Sequence, residues 1–459
     1  MPSNLAVRDI ETLIHPYTNL EQFRQTGPLL LERGQGVHVY DSEGKSYIEG
    51  MSGLWCTALG YGNEELVEVA ASQMRKLSFA HLFSGKSHDP AIELAERLKE
   101  IAPVPISKVF FCNSGSEAND TQVKLVWYMN NALGRPRKKK IISRVKAYHG
   151  ITIASASLTG LPANQTDFDL PIANIIHTSC PHHYRFAHDG ENEEQFSARL
   201  ARELEELIIT QDPDTVAAFI AEPVMGAGGV IVPPAGYFPA IAAVCAKYDL
   251  YLICDEVITG FGRLGKMFGC NVVGFEPHAI SIAKALSSAY VPIAGVMLPE
   301  MMYEAMLIES RKIGTFGHGF TYSGHPVAAA VALKTLEIIK RERIVDAVAV
   351  KVPQFLGRLH ALAEHPLVGE ARGLGLVGAV ELVADKTSKR VFEPKLGVAA
   401  RCAQFAQEVG LIVRGLADSV AICPPLVITP AEIDVMFDRL ATALNRTLDW
   451  ATREKLIEA

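Results

Sequence analysis

The sequence predicts an α/β protein: a large domain on a mostly parallel central sheet, followed by a smaller α+β domain. Three observations lead there. Between residues 108 and 284, short apolar runs alternate with longer stretches of helical periodicity, the pattern of strands joined by crossover helices. The runs are continuously apolar rather than alternating, as strands covered on both faces require. The chain has 459 residues, more than the roughly 250–300 at which one core stops growing, and its pattern changes after residue 326.

Taken in order, residues 36–44 read as a hairpin turning at Ser42-Glu43-Gly44. Lys108-Val109-Phe110-Phe111 reads as a strand leading into a helix over 117–131. Lys140-Ile141-Ile142-Ser143 and Val216-Ala217-Ala218-Phe219-Ile220 are strands, and a helix follows over 239–248. The next strands end at Asp255, in Leu250-Tyr251-Leu252-Ile253-Cys254-Asp255, and near Lys284, in Ala279-Ile280-Ser281-Ile282-Ala283-Lys284. A helix over 326–341 opens the second domain, which continues through a linker, a helix and short strands to a terminal helix from Ala431. The implied units are 1–60, an N-terminal segment packing with the small domain; 61–325, the large domain; and 326–459, the small domain.

Composition excludes several function classes. Hydrophobic residues make up 49% of the chain and charged residues 21%, ordinary for a globular protein. A net charge of −7 argues against nucleic-acid or anionic-membrane partners. The one basic cluster, Arg135 to Lys140, reads as a solvated loop. Eight cysteines without a C-x-x-C pair read as reduced core residues, and the first 25 residues lack an apolar signal-type run, so a cytoplasmic protein is expected. The apolar stretch 279–298 is interrupted by Lys284 and Pro292, which argues against a membrane span.

Candidate chemistry gathers at strand ends, where open α/β sheets bind ligands: Asn113, Glu222, Asp255 and Lys284 all fall there. A lysine and an aspartate, each closing a buried-strand pattern, suggest a pyridoxal phosphate (PLP) site. In such a site a lysine holds the aldehyde as a Schiff base and an acid faces the pyridine nitrogen. Asn113-Ser114-Gly115-Ser116-Glu117 joins a strand to a helix; Ser116 is expected to cap that helix, whose open N–H groups form an anion site. Tyr148, in Tyr148-His149-Gly150, can stack on a cofactor ring. The adjacent pair His182-His183 lacks ligand spacing and an evident acidic partner, so no metal site is expected. Gly373-Leu374-Gly375-Leu376-Val377-Gly378 matches G-x-G-x-x-G but runs into a strand pattern rather than a helix, and reads as a glycine-rich strand. Arg414 follows an apolar run; its planar fork suits either a substrate carboxylate or a structural ion pair.

Together these residues resemble the class III aminotransferases of PLP fold type I, over nearly the whole chain from His15 to Leu426. The motifs are Asn113-Ser114-Gly115-Ser116-Glu117-Ala118, Tyr148-His149-Gly150, Glu222-Pro223, Asp255-Glu256-Val257, Lys284 and Phe320-Thr321-Tyr322-Ser323-Gly324-His325-Pro326. Within that class, Gly53-Leu54-Trp55-Cys56 and Gly226-Ala227-Gly228-Gly229-Val230 are most similar to omega-amine:pyruvate transaminases.

The resemblance implies Lys284 as Schiff-base lysine and proton shuttle, and Asp255 as partner of the pyridine nitrogen. It implies Gly115 and Ser116 on the phosphate, joined by Thr321 from a partner subunit, hence a homodimer with shared active sites; pairing of dimers into tetramers stays open. Tyr148 and Val257 would take the two ring faces, with Glu222 supporting the site. Trp55 and Phe83 would wall the substrate pocket, and Arg414 would clasp a carboxylate. The implied substrates are a small-molecule amine donor and a keto-acid acceptor. Ala227 stands where ornithine- and 4-aminobutyrate-type relatives carry a glutamate that neutralises the arginine, which favours pyruvate over 2-oxoglutarate. Ala289 and His278 also depart from the family pattern, away from the chemistry. A 2-oxoglutarate transaminase, another PLP chemistry (racemase, aminomutase or decarboxylase) and a non-catalytic protein of the same fold are the alternatives.

Overall fold

The computed structural model describes residues 4–457. Its centre is a seven-stranded sheet in the spatial order Lys108–Cys112, Ala294–Leu298, Ala279–Ile282, Tyr251–Asp255, Val216–Ala221, Lys140–Arg144, Ile175–Thr178. Six strands run parallel, and Ala294–Leu298 alone opposes both its neighbours. Every residue of Val216–Ala221, Tyr251–Asp255, Ala279–Ile282 and Ala294–Leu298 is buried, which is why those runs are apolar apart from Asp255 and Ser281. The edge strand Ile175–Thr178 is only half-buried at its centre, and the sequence reading did not find it. The apolar stretch 279–298 is two strands joined by a 3-10 turn at Lys284–Ser287. Among the described residues no helix is long and apolar enough to cross a membrane.

Because the strands are parallel, their carboxyl ends share one edge of the sheet. Asp255 pairs in register with Ser281 on the neighbouring strand, so Lys284 leaves that strand three residues further on. Helices Gly115–Ala132 and Tyr237–Lys247 cover the sheet, close to the spans read from periodicity.

Two smaller sheets flank this core. Leu31–Gln35, His38–Asp41 and Ser46–Glu49 form an antiparallel meander. Its second turn is the expected hairpin; Asp41 closes it by accepting the N–H groups of Glu43 and Lys45. Leu411–Ile412 adds to this meander in parallel. Val368–Leu374, Val377–Leu382, Ser419–Ile422 and Arg414–Leu416 form the other antiparallel sheet. The glycine-rich run 373–378 is the turn of a hairpin in it, with Gly375 at a φ of +64°.

The basic segment 135–140 is a loop up to Lys139, as expected, with Arg137 exposed. It is also tied down: Arg135 pairs with Asp249 and Arg137 with Asp212, while Lys138, buried against expectation, donates to the Tyr248 carbonyl and Lys140 to that of Gln211. Lysine stems can bury while their ammonium groups satisfy carbonyls at element ends.

Gly375 allows one test of this packing. A Cβ there would lie 2.4 Å from Leu264 Cα and 2.5 Å from the Arg263 carbonyl oxygen, on top of the left-handed φ. Gly375→Ala is expected to cost about 1–3 kcal/mol, seen as a lower urea midpoint at unchanged slope. Gly357→Ala, in a helix with nothing within 4 Å of the new methyl, is expected to leave the midpoint unchanged or raise it.

Candidate active site

The helix Gly115–Ala132 begins directly beyond the strand Lys108–Cys112. Its cap is Ser114, not Ser116: Ser114 has the extended backbone a cap requires, and its oxygen accepts the Glu117 N–H at 3.2 Å. Glu117 reaches back to accept the Asn113 N–H at 2.7 Å. Ser116 is thereby the second helical residue, and its Oγ accepts the Ile151 N–H at 3.1 Å, leaving its own O–H proton to offer. A Cβ on Gly115 would press on both Val257 methyls at 3.1 Å, and one on Gly150, at φ +132°, would meet Ser116 Oγ at 2.5 Å. Glycine at both positions keeps this corner open.

Asp255 is 4% exposed and closely held. Asn119 Nδ2 and His149 Nδ1 both donate to Oδ2 at 2.7 Å, and the Val257 N–H donates to Oδ1 at 3.1 Å. Asn119 also donates to the His149 carbonyl at 2.7 Å. Sequence reading missed Asn119 and gave His149 no role. The available signal for Asn119 was a polar residue one turn beyond Gly115, on the helix face turned to the sheet.

Lys284 lies at the opposite wall, with a left-handed φ of +47°. Burial pushes its ammonium below the ordinary lysine range, an effect Asp255 opposes. Gly115, Ser116, Asn119, Tyr148, His149, Gly150, Glu222, Asp255, Val257, Ile258 and Lys284 enclose a cavity of about 150 Å³. Seven expected site residues therefore meet around one space.

Glu222 acts on the site's outer wall. Its Oε1 accepts the Tyr148 N–H and its Oε2 the Gly226 N–H, both at 3.0 Å, and burial pushes its carboxyl up. It thus fixes both the ring tyrosine and the turn that carries Ala227. Tyr148 receives a long hydrogen bond from Tyr17 at 3.5 Å. The Arg414 guanidinium stands 5.7 Å from the centre of the Tyr17 ring. Arg414 is half-buried, in no ion pair among the described residues, and burial pushes it below the usual arginine range.

Trp55 is buried in the packed cluster that includes Ile258, beside the cavity rather than lining it. Phe83 and Thr321 are exposed, away from the cavity. They share a surface on which a Cβ at Gly319 would touch Phe83, and Phe79 packs edge-on to Tyr322 at 5.8 Å. His318 anchors this segment, with Nε2 2.9 Å from Thr121 Oγ1, Nδ1 accepting from Lys124 at 2.8 Å, and its ring stacked on Phe110. His182 finds acidic partners that sequence could not reveal: Glu370 lies 2.8 Å away, and Arg372 holds both Glu370 and Glu381 at 2.6 Å. The cluster is a buried ion-pair network.

The cavity fits pyridoxal phosphate. Its donor set offers an amine at Lys284, a carboxylate at Asp255, and the open first turn of a helix at Gly115 and Ser116 for an anion.

Comparison with known proteins agrees with that donor set. The family described as "Aminotransferase class-III" matches residues 22–444. An omega transaminase from Pseudomonas jessenii, solved in complex with PMP, is 54% identical with a TM-score of 0.96, covering 98% of this chain and 99% of that one. A thermostable omega transaminase variant engineered for asymmetric synthesis of enantiopure bulky amines is 53% identical at a TM-score of 0.96, covering 97% and 100%. Gamma aminobutyrate transaminase 1, mitochondrial, of Solanum lycopersicum is 49% identical over 436 residues, 95% of this chain and 85% of that protein.

Asn119→Ala is expected to remove one hydrogen bond from a buried carboxylate, worth about 1–3 kcal/mol, and so to weaken PLP binding roughly fivefold to a hundredfold, measured by equilibrium titration of absorbance. His318 tests the anchored segment. Burial, then Lys124, lowers its pKa from 6.5 to about 4. The folded state binds fewer protons than the unfolded between those values, so His318's contribution is fully present above pH 6.5 and is lost as pH falls towards 4. His318→Gln is expected to flatten the fall in Tm across that window.

Proposed function

The chain belongs to the class III aminotransferases, PLP-dependent enzymes, and on that premise we propose that it moves the amino group of a primary amine or omega-amino acid to pyruvate. The observation that carries the acceptor is Arg414, a half-buried guanidinium in no ion pair among the described residues, with Ala227 unable to neutralise it. A free arginine suits the small carboxylate of pyruvate and can stand aside for a neutral amine.

When bound, pyridoxal phosphate supplies an aldehyde carbon that takes up an amine and a ring that accepts the electron pair of a broken C–H bond. Gly115 and Ser116 bind the phosphate, with Thr321 of the partner subunit as a third donor in a homodimer. Asp255, held by Asn119, His149 and the Val257 N–H, keeps the ring nitrogen protonated. Lys284 would hold the cofactor's aldehyde carbon through its amine and, once displaced by the donor, would take the proton from the donor carbon and return it to the former aldehyde carbon. Its lowered pKa favours the free base this role needs. Tyr148 and Val257 cover the ring faces. Trp55, with Phe83 of the partner subunit, walls the amine pocket. The variant engineered for bulky amines replaces a tryptophan, a phenylalanine and an arginine at the same spacing as Trp55, Phe83 and Arg414, which supports that assignment. Eight free cysteines support a reducing compartment such as the cytoplasm.

One relative favours a narrower reading. The tomato protein is named for gamma-aminobutyrate, itself an omega-amino acid, so gamma-aminobutyrate is a candidate donor within the same class.

The test is alanine formation from pyruvate with 1-phenylethylamine, β-alanine and gamma-aminobutyrate as donors, against glutamate formation from 2-oxoglutarate. Turnover with pyruvate is expected; turnover with 2-oxoglutarate alone would overturn the acceptor assignment. Arg414→Ala is expected to raise the KM for pyruvate by about tenfold to a hundredfold while sparing amine binding. Because Lys284 acts as a base once the donor amine has displaced it, kcat should fall as pH falls through its pKa, with the inflection below the ordinary lysine value of about 10.4.

A further inference from the structure

Glu49 is a buried carboxyl with no part in the chemistry above. It ends the strand Ser46–Glu49, is 4% exposed, and has no ion-pair partner among the described residues. Burial pushes its pKa up to about 7, opposed only by hydrogen bonds from the backbone of Met51 and Gly53. The Met51 N–H lies 2.9 Å from Oε1. An uncompensated buried carboxyl is costly, so its site calls for a physical reason.

The reason lies in the segment it holds. Residues 52–55 turn through left-handed backbone at Ser52 (φ +49°), Gly53 (+65°) and Trp55 (+66°). Such conformations cost of order 1–3 kcal/mol each for non-glycine residues and persist only where the surroundings impose them. Two clamps do so. Ser52 Oγ donates to the Cys423 carbonyl at 2.6 Å and accepts from Arg263 at 3.2 Å. Glu49 takes the N–H groups on either side of Ser52. The chain then closes through Trp55 N–H to the Met51 carbonyl at 2.8 Å, which delivers the Trp55 ring into the cluster shared with Ile258, a residue of the cavity wall. The titratable groups that feel Glu49 are Cys56, Tyr61 and Cys423, none of them a cation.

We propose that Glu49 is a positioning residue for Trp55: its carboxyl fastens the left-handed segment through Met51 and Gly53 and so sets which amine sizes the pocket accepts. This rests on the proposed role of Trp55 as a wall of that pocket.

The test is a double-mutant cycle on the PLP-loaded enzyme with pyruvate as acceptor. The readout is the ratio of kcat/KM for 1-phenylethylamine to that for 2-aminobutane. Glu49→Met fills the volume without an acceptor, Glu49→Gln keeps an acceptor oxygen, and Trp55→Ala removes the ring; Glu49→Ala serves if Glu49→Met does not fold. Glu49→Met is expected to shift the ratio by about fivefold or more, through KM rather than kcat, with the visible cofactor spectrum unchanged. Glu49→Gln should stay within about twofold of wild type, and Glu49→Met should add less than about twofold in the Trp55→Ala background. An unchanged ratio in Glu49→Met, with Trp55→Ala shifting it, overturns the proposal; so does an equal effect of Glu49→Met with and without Trp55. A ratio that Trp55→Ala leaves unmoved overturns the pocket reading on which the proposal stands.

Discussion

An amine and a carboxylate share one buried cavity here without closing onto each other, and much of the architecture follows from keeping them apart. Asp255 and Lys284 leave neighbouring parallel strands, which lie only about 5 Å apart. Both oxygens of Asp255 already have donors, from helix, loop and its own strand end. Lys284 turns away through a left-handed residue and enters no ion pair among the described residues. A desolvated amine facing an occupied carboxylate is poised for chemistry, whereas a paired one would be a structural bridge.

Two buried arginines tie the C-terminal part of the chain to the segments beside the cavity. Arg372 donates to the carbonyls of Gly229 and Val230, on the Ala227 turn, while holding Glu370, Glu381 and Ser419. Arg263 reaches the Leu376 and Pro424 carbonyls and Ser52. Guanidinium groups suit this task, since five fixed donors can satisfy carbonyls from several segments at once. The segments around Trp55 and Ala227 are thus set by contacts between parts distant in sequence.

That distance explains what the sequence disclosed. Buried strands and the charges closing them were legible, because a lysine or aspartate after an apolar run is rare without a reason. Asn119 and His149 were not, since their importance comes from a meeting point on Asp255 that local pattern does not encode. Ser114 and Ser116 both suited the cap by residue type; only the backbone at Ser114 decided between them. The burial of Lys138 within the basic loop was not legible, because its partners Tyr248 and Asp249 lie far along the chain. Thr321 and Phe83 followed from resemblance alone, and both lie on an exposed face of the single chain, away from the cavity.

The central claim is that Lys284 is the amine that holds the cofactor. Treating the PLP-loaded protein with borohydride and mapping its peptides by mass spectrometry tests it most directly. The account predicts one pyridoxyl phosphate mass, fixed on the peptide bearing Lys284 and absent when an amine donor is added first. Label on a different lysine, or none after saturation with PLP, would contradict it.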